Sequence, residues 1–159
     1  MKYILFLLFI CLGVELSAQH HESSNQAGYY RSIEEARRNP TAVQTLDLSR
    51  QNLTRLPSDL QLFTNLKVLY LDHNPIANVG SALYYVPKLE VLDLTCTNIT
   101  KLGSALYYIP QLRELYLYNT KIEQLASALY YIPNLEVLSL GKTNINNLGA
   151  ALYLSLIHI

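Results

Sequence analysis

Three aspartates and a histidine are the residues of this chain whose chemistry first suggests a site. Asp47, Asp72 and Asp93, with His73 next to the second, could form a cation site, since hard cations are bound by several carboxylate oxygens. The three carboxylates lie on separate segments without a dedicated binding loop, an arrangement typical of a solvated surface. The sequence therefore predicts no metal site and no cofactor.

The sequence contains no motif typical of an enzyme. No hydrolase nucleophile elbow, phosphate-binding loop or zinc-binding helix occurs. Cys96 has no histidine at a spacing that indicates a nucleophile pair or a metal site, so a half-buried thiol is the simpler interpretation. The glycosylation triplets at Asn52 and Asn98 lie at equivalent positions of a sequence repeat, which accounts for both. We predict no catalytic residues and no enzymatic activity.

The balance of charges excludes two classes of partner. The chain of 159 residues has 12 basic and 12 acidic side chains, so its formal net charge is zero. Nucleic acids and anionic membrane surfaces are bound by a basic excess that replaces counterions. The composition therefore predicts neither of them as a partner.

Residues 1–18 have the features of a secretory signal peptide. Lys2 supplies a positive start, residues 3–14 are apolar, and the small residue Ala18 precedes a plausible cleavage site. The apolar stretch is shorter than the about 20 residues that span a bilayer. We therefore predict a secreted or extracytoplasmic cell-surface protein without a membrane span. A lipoprotein anchor at Cys11 and an uncleaved anchor are the alternatives.

The following sequence repeats with a fixed period of 23 residues. Apolar residues recur at positions one, four, six, eleven, fourteen, eighteen and twenty-one of each unit. Positions four and six, with polar neighbours, predict a short strand, and positions eighteen and twenty-one predict one turn of α-helix or 3₁₀ helix. A fixed period of this length indicates a solenoid of stacked units. The units begin at Val43, Leu66, Leu89, Leu112 and Leu135.

These units resemble the leucine-rich repeat family. The family pattern LxxLxLxxNxL is matched by LKVLYLDHNPI, and the next three units match it nearly. The resemblance implies an α/β fold, a right-handed solenoid with a concave parallel sheet and convex short helical turns, and usually a protein-binding role. The absence of cysteine-rich caps makes the chain look like secreted bacterial members. The asparagine position holds Asn74 in one unit but Thr97, Thr120 and Thr143 in the last three, where a hydroxyl reaches buried backbone groups less far.

Residues 19–42 are expected to form the N-terminal cap. The part from 19 to 28 is polar and predicted to be disordered. Ser32 and Glu35 have the spacing of a capping box, which predicts the start of a short capping helix. Such a helix would cover the apolar face of the first repeat.

The repeat identity stops after Tyr153. The remaining residues, LSLIHI at 154–159, resemble the translation of a sequencing adapter. We therefore expect residues 43–153 to form five repeats, the last incomplete, in a chain that is truncated at its C-terminus.

The strand residues on either side of positions four and six are expected to face solvent. Over five strands about 4.8 Å apart they would form one surface roughly 20 Å wide. Tyrosines among small and acidic residues are typical of protein-binding surfaces, although strand propensity alone would also place them there. We predict that a protein partner of unknown identity binds Tyr70, Asp72, Asp93, Glu114, Tyr116 and Tyr118.

Three Tyr-Tyr pairs, at 84–85, 107–108 and 130–131, occupy the same two positions of successive repeats. They are expected to form two ladders on the convex side. Stacking between neighbouring repeats is the simpler role, and docking of carbohydrate or protein is the alternative.

Three functions are consistent with these features. The leading one is a secreted or cell-surface module that binds a protein partner through the concave sheet. The alternatives are a substrate-recruiting domain of a larger enzyme or effector, and an adhesin or envelope-structural protein. The signal peptide, the repeats and the lack of catalytic motifs favour the first.

Overall fold

The computed structural model describes residues 26–125 and 128–145. Six parallel strands form one sheet and follow one another in chain order. Consecutive strands are joined by α1 or by 3₁₀ helices, so the predicted α/β solenoid of stacked repeats is confirmed. The strands are β1 (Tyr29–Tyr30), β2 (Thr45–Asp47), β3 (Val68–Tyr70), β4 (Val91–Asp93), β5 (Glu114–Tyr116) and β6 (Val137–Ser139).

The helical segments lie between the strands and are short. Helix α1 spans Ile33–Ala36, and all the other helices of the described ranges are 3₁₀ helices. The apolar positions three residues apart suit 3₁₀ geometry, in which residues i and i+3 eclipse. A proline follows shortly after three of these helices, at Pro87, Pro110 and Pro133, and prevents their continuation. The 3₁₀ helices are Pro40–Ala42, Ser58–Leu62, Ala82–Tyr85, Gly103–Tyr108 and Ala128–Tyr131.

The core is a stack of leucines supplied by equivalent repeat positions. Leu46, Leu69, Leu92 and Leu115 lie in register across β2 to β5 and are fully buried. The 3₁₀ helices bury further leucines opposite them, such as Leu83. Each such side chain contributes about 1.5–3 kcal/mol by leaving water. The register of the leucines fixes which strand residues point to the other side of the sheet.

The N-terminal cap contains the predicted helix and a strand that was not predicted. The Ser32 hydroxyl accepts a hydrogen bond from the Glu35 backbone N–H at 3.1 Å, which confirms the cap of α1. Strand β1 pairs with β2, so the sheet has six strands rather than five. It starts after Gly28, which has a φ of +88° and lies so close to the Ala42 carbonyl that a Cβ would sit 3.0 Å from it. The predicted signal peptide at 1–18, residues 19–25 of the segment predicted to be disordered, residues 146–153 of the last repeat and the segment 154–159 lie outside the described residues.

Each strand of a repeat ends in the same backbone turn. Residues 50, 73, 96, 119 and 142 all adopt the left-handed conformation, with φ between 55° and 58°. None of them is glycine, although L-residues resist this conformation by about 1–2 kcal/mol. The turn is therefore imposed by the stacked repeats and not by the local residue type. The five residues are Arg50, His73, Cys96, Asn119 and Lys142.

Asn74 connects the first two repeats through its amide group. Its Nδ2 donates to the carbonyls of Leu48 at 2.8 Å and Leu71 at 2.9 Å. Its Oδ1 accepts from the backbone N–H groups of Gln51 at 3.0 Å and Leu53 at 2.9 Å. Three of these four partners belong to the preceding repeat, so one buried side chain holds two units together.

The hydroxyl groups of the threonines that replace this asparagine donate hydrogen bonds within their own repeat. Thr97, Thr120 and Thr143 each donate to the carbonyl three residues earlier, at 2.7, 2.9 and 2.9 Å. This confirms the shorter reach expected for the hydroxyl.

Candidate protein-binding surface

The strand face is defined here as the side of β1 to β6 that points away from the leucine core, together with the residues that directly follow each strand. The pairing register places its side chains in rows that run across the strands. One row alternates between carboxylates and tyrosine rings before it ends at Ser139. The members of this row are Asp47, Tyr70, Asp93, Tyr116 and Ser139.

Asp47 and Asp93 of this row, and Asp72 beside it, were predicted to face solvent, and that prediction is wrong. Asp47, Asp72 and Asp93 are only 5%, 4% and 5% exposed. Neighbouring strands are about 4.8 Å apart, so the larger side chains of Tyr70 and Tyr116 on both sides can cover the short Asp93. A buried carboxylate requires hydrogen-bond donors, because the loss of its hydration is otherwise costly.

Local donors satisfy the buried carboxylates of the row. Asp47 accepts the Tyr29 hydroxyl at 2.7 Å and the Ser49 backbone N–H at 3.1 Å. Asp93 accepts the Thr95 backbone N–H at 2.8 Å. These bonds hold the carboxylates in fixed positions, so the polar part of the strand face is preorganised.

Asp72 lies beside this row and is bonded from two sides. Its carboxylate accepts a hydrogen bond from the Ser49 hydroxyl. Its other oxygen lies 2.8 Å from Nδ1 of His73, a contact that becomes an ion pair when the imidazole is protonated. Asp72 therefore sits within a polar network at the carboxyl ends of the strands.

Tyr70 and Tyr116 are half-buried and polarised by their surroundings. Burial is the main cause that raises the pKa of Tyr70 to about 12, followed by nearby negative charge. Burial also raises the pKa of Tyr116, whose hydroxyl donates to Glu114 at 2.8 Å. Both phenols are neutral at physiological pH and are held in place, so Tyr116 is not the freely solvated side chain that the sequence predicted.

A basic side chain of the same chain lies over a tyrosine ring at each end of the strand face. The Lys142 ammonium is 5.3 Å from the centre of the Tyr118 ring, and this ring packs so closely on Gly141 that a Cβ there would lie 2.7 Å from it. At the other end, the Arg31 guanidinium is 5.6 Å from the centre of the Tyr29 ring. Both are cation–π contacts.

The sequence did not reveal Tyr29, Arg31 or Lys142 as members of this surface. Tyr29 pairs with Thr45, only 16 residues away, so the period of 23 residues does not identify it. Lys142 occupies the left-handed turn position, whose side-chain direction depends on the backbone turn. The repeat pattern alone contains no signal for either.

The tyrosine chain is defined here as Tyr84, Tyr85, Tyr107, Tyr108 and Tyr131. Its rings meet edge to face, with centroid distances of 5.3 to 5.5 Å. Contacts from Tyr84 to Tyr108 and from Tyr107 to Tyr131 cross between repeats, which confirms the predicted stacking. The predicted two ladders are instead one zigzag chain. It is more exposed than the strand face, with Tyr84 60% and Tyr107 61% exposed.

Within residues 26–125 and 128–145, no group of three or more His, Cys, Asp or Glu side chains could hold a metal ion. The Cys96 thiol is half-buried and accepts a hydrogen bond from Asn119 Nδ2 at 3.3 Å. The strand face can therefore offer hydrogen bonds, aromatic rings and negative charge, which are the means of binding another molecule.

Comparison with known proteins places this architecture in a family. The sequence pattern of the leucine rich repeat matches residues 64–122 and again residues 87–145, which together cover just over half of the chain. The chain belongs to the leucine-rich repeat family. No curated protein matches the sequence.

Two solved structures show the same fold as this leucine-rich repeat chain. Internalin C2 from Listeria monocytogenes is 30% identical, with a TM-score of 0.61 over 68% of this chain and 46% of that one. Internalin F from the same organism is 22% identical, with a TM-score of 0.65 over 80% of this chain and 36% of that one. The chain thus spans less than half the length of either structure. In the part of the chain that the structure describes, no helix has the length and apolar character needed to cross a membrane.

Proposed function

We propose that this leucine-rich repeat chain is a secreted or cell-surface module that binds a protein partner through the strand face. The observation that carries the proposal is the row in which carboxylates and tyrosine rings alternate across parallel strands. The residues proposed to contact the partner are Tyr70, Asp72, Asp93, Glu114, Tyr116 and Tyr118.

The rigidity of the strand face favours binding. Asp47, Asp93 and Tyr116 are each fixed by hydrogen bonds within the chain. Binding to side chains that are already fixed costs less conformational entropy than binding to mobile side chains that must first be ordered. Tyrosines in such positions supply large contact areas and hydroxyl groups for hydrogen bonds.

The shape of the strand face suits a protein. Its rows extend over β2 to β6, about 20 Å at the usual strand spacing, and the described residues contain no group of three or more His, Cys, Asp or Glu side chains that could hold a metal ion. Extended surfaces of this kind are how solenoid repeats generally bind their partners. Extracytoplasmic location rests on the signal-like residues 1–18 and is part of the proposal.

The test is an array of purified extracellular protein domains, probed with the full-length chain and with two variants. Tyr116→Ala/Tyr118→Ala alters the strand face, and Tyr84→Phe/Tyr107→Phe alters only hydroxyls of the tyrosine chain. We expect a partner that binds the wild-type and the Phe variant and binds the Ala variant about 1–3 kcal/mol more weakly. Equal binding by all three proteins, or no binding by the wild-type to any domain, would contradict the proposal.

A further inference from the structure

The strand face places groups that attract cations in a regular order. The register runs from Asp47 through Tyr70 and Asp93 to Tyr116, so each tyrosine lies on the strand next to one that carries an aspartate. Neighbouring strands are about 4.8 Å apart. Glu114 adds a further carboxylate at the Tyr116 hydroxyl. An aromatic ring face attracts a cation through its quadrupole, and a carboxylate beside it attracts the same cation through its charge.

The two ends of the strand face show that its tyrosines accept cations. Arg31 lies over Tyr29 at one end, and Lys142 lies over Tyr118 at the other, both within about 6 Å of the ring centre. The chain thus makes the same contact twice with its own basic side chains. The central rings of Tyr70 and Tyr116 lie between these ends, on the same side of the sheet.

Negative charge is concentrated between these two ends. Asp47, Asp72, Asp93 and Glu114 all lie there, and the three aspartates are buried, so solvent screens their charge less than it would on an open surface. The raised pKa of Tyr70, to which Asp93 and Glu114 contribute after burial, is consistent with this negative field. Arg31 and His73 lie beside Asp47 and Asp72, so the negative charge next to Tyr70 and Tyr116 comes mainly from Asp93 and Glu114, and it favours a positively charged segment of a partner.

We propose that the partner presents an extended segment whose arginine or lysine side chains lie over Tyr70 and Tyr116, next to Asp93 and Glu114. This inference rests on the proposed function of the strand face and adds the chemistry of the partner. Tyr70 and Tyr116 are two strands apart, about 10 Å. In the extended polyproline II conformation, residues three apart lie on the same side of the chain and are separated by about 9 Å, so the two cations should be three residues apart in the partner.

Nuclear magnetic resonance titration of the full-length chain tests this proposal. The probe is the synthetic peptide Gly-Arg-Gly-Gly-Arg-Gly. The matched control contains citrulline, which keeps the shape of arginine and removes its charge. A second control places the two arginines next to each other. We expect the first peptide to shift the ring signals of Tyr70 and Tyr116 and to bind about tenfold more tightly than the citrulline peptide.

Variants of Tyr70 separate the contribution of the aromatic ring to peptide binding from the contribution of side-chain volume. Tyr70→Phe keeps the ring and should keep most of the binding, whereas Tyr70→Leu keeps apolar bulk without a π face and should lose most of it. Tyr107→Leu, on the tyrosine chain, is the remote control and should bind as the wild-type does. Lys142→Gln removes the cation over Tyr118, so the peptide should then also shift the Tyr118 ring signals. Thermal unfolding of each variant establishes that it is folded.

The outcomes separate this inference from the proposed function. If the arginine and citrulline peptides bind equally, or neither shifts the two rings, the inference is wrong. A protein partner that still requires Tyr116 and Tyr118 would then leave the proposed function intact. If the peptide binds as expected but no protein domain requires the strand face, the cation preference holds and the protein-binding function fails.

Discussion

The strand face and the tyrosine chain use the same residue type for different purposes. On the strand face, Tyr70 and Tyr116 are separated by a strand that carries Asp93, so each ring has a carboxylate-bearing residue as its neighbour. In the tyrosine chain, Tyr84 and Tyr108 meet edge to face across two repeats. The neighbours differ accordingly: the rings beside carboxylates belong to the surface that we propose binds a partner, and the rings beside rings couple two repeats.

Exposure alone would have assigned these roles the other way round. The tyrosine chain contains the more exposed rings, whereas the strand face is half-buried and bonded. A half-buried, hydrogen-bonded surface is better ordered for recognition, and exposed rings that contact each other still contribute to stability. The following predictions test this difference.

The largest effect is expected from Tyr107→Ala/Tyr108→Ala. The double variant removes the ring contacts to Tyr84 and Tyr131 as well as the contact between the two residues. At about 0.5–1.5 kcal/mol for each contact, the free energy of unfolding should fall by about 2–4 kcal/mol. Urea unfolding measures this loss, and the double Phe variant, which keeps the rings, should be nearly as stable as the wild-type. Unchanged stability together with lost partner binding would reverse the two roles.

Tyr116→Ala should lower the free energy of unfolding by less than the double variant of the tyrosine chain does. It should also weaken the binding of a partner to the strand face. The ring is half-buried and its hydroxyl is bonded to Glu114, so we expect a loss of about 1–2 kcal/mol in the free energy of unfolding. Tyr116→Phe loses only the hydroxyl bond and should cost less than about 1 kcal/mol. Chemical unfolding of both variants gives the comparison. If Phe is as destabilising as Ala, the ring itself contributes nothing.

Alkaline pH should lower the free energy of unfolding through the ionisation of Tyr70. The pKa of Tyr70 rises from 10.0 to about 12 on folding, mainly through burial. Between these values the unfolded phenol loses its proton while the folded one keeps it, so stability is present below pH 10 and declines as the pH rises towards 12. Because the phenol is partly solvated, we expect a loss smaller than that of Tyr116→Ala. Unfolding at several alkaline pH values measures it, and Tyr70→Phe should reduce the slope. An unchanged slope would mean that Tyr70 is not the group responsible.

The smallest change in the free energy of unfolding is expected for a substitution in the turn that follows β2. Arg50 has a φ of 58°, which glycine adopts without steric cost. Arg50→Gly should therefore change the free energy of unfolding by less than about 0.5 kcal/mol, because relief of the turn offsets the greater entropy of the unfolded chain. Arg55→Gly is the matched control, since Arg55 is also exposed and lacks a positive φ. It should cost about 0.5–1 kcal/mol. Equal losses at the two positions would show that the turn imposes no strain.

Much of the fold could be predicted from the sequence because the repeat fixes it. The leucines at positions four and six, the short helical turns and the Ser32 cap all lie where the pattern placed them. Strand β1 was missed because it has two residues and pairs outside the period of 23 residues. The repeat period predicts which apolar side chains are buried, and it does not predict a strand of only two residues.

The candidate site could be predicted less completely. The alternation of side chains correctly placed Tyr70, Asp93 and Tyr116 on one side of the sheet. It could not show that Asp93 is covered, because the coverage depends on the size of side chains on adjacent strands. The zigzag of the tyrosine chain could not be predicted from the sequence either, because it depends on the rotation of rings in neighbouring repeats.

The left-handed turn has a consequence for how the repeats can diverge. Arginine, histidine, cysteine, asparagine and lysine occupy this position in successive repeats, and the backbone conformation is nearly the same in all five. Since the stacked backbone and not the side chain maintains the turn, mutation can exchange the residue there with little loss of structure. The position lies at the margin of the strand face, as Lys142 over Tyr118 shows. Duplicated units can therefore acquire different charges there one at a time, and new specificities can evolve without redesign of the scaffold.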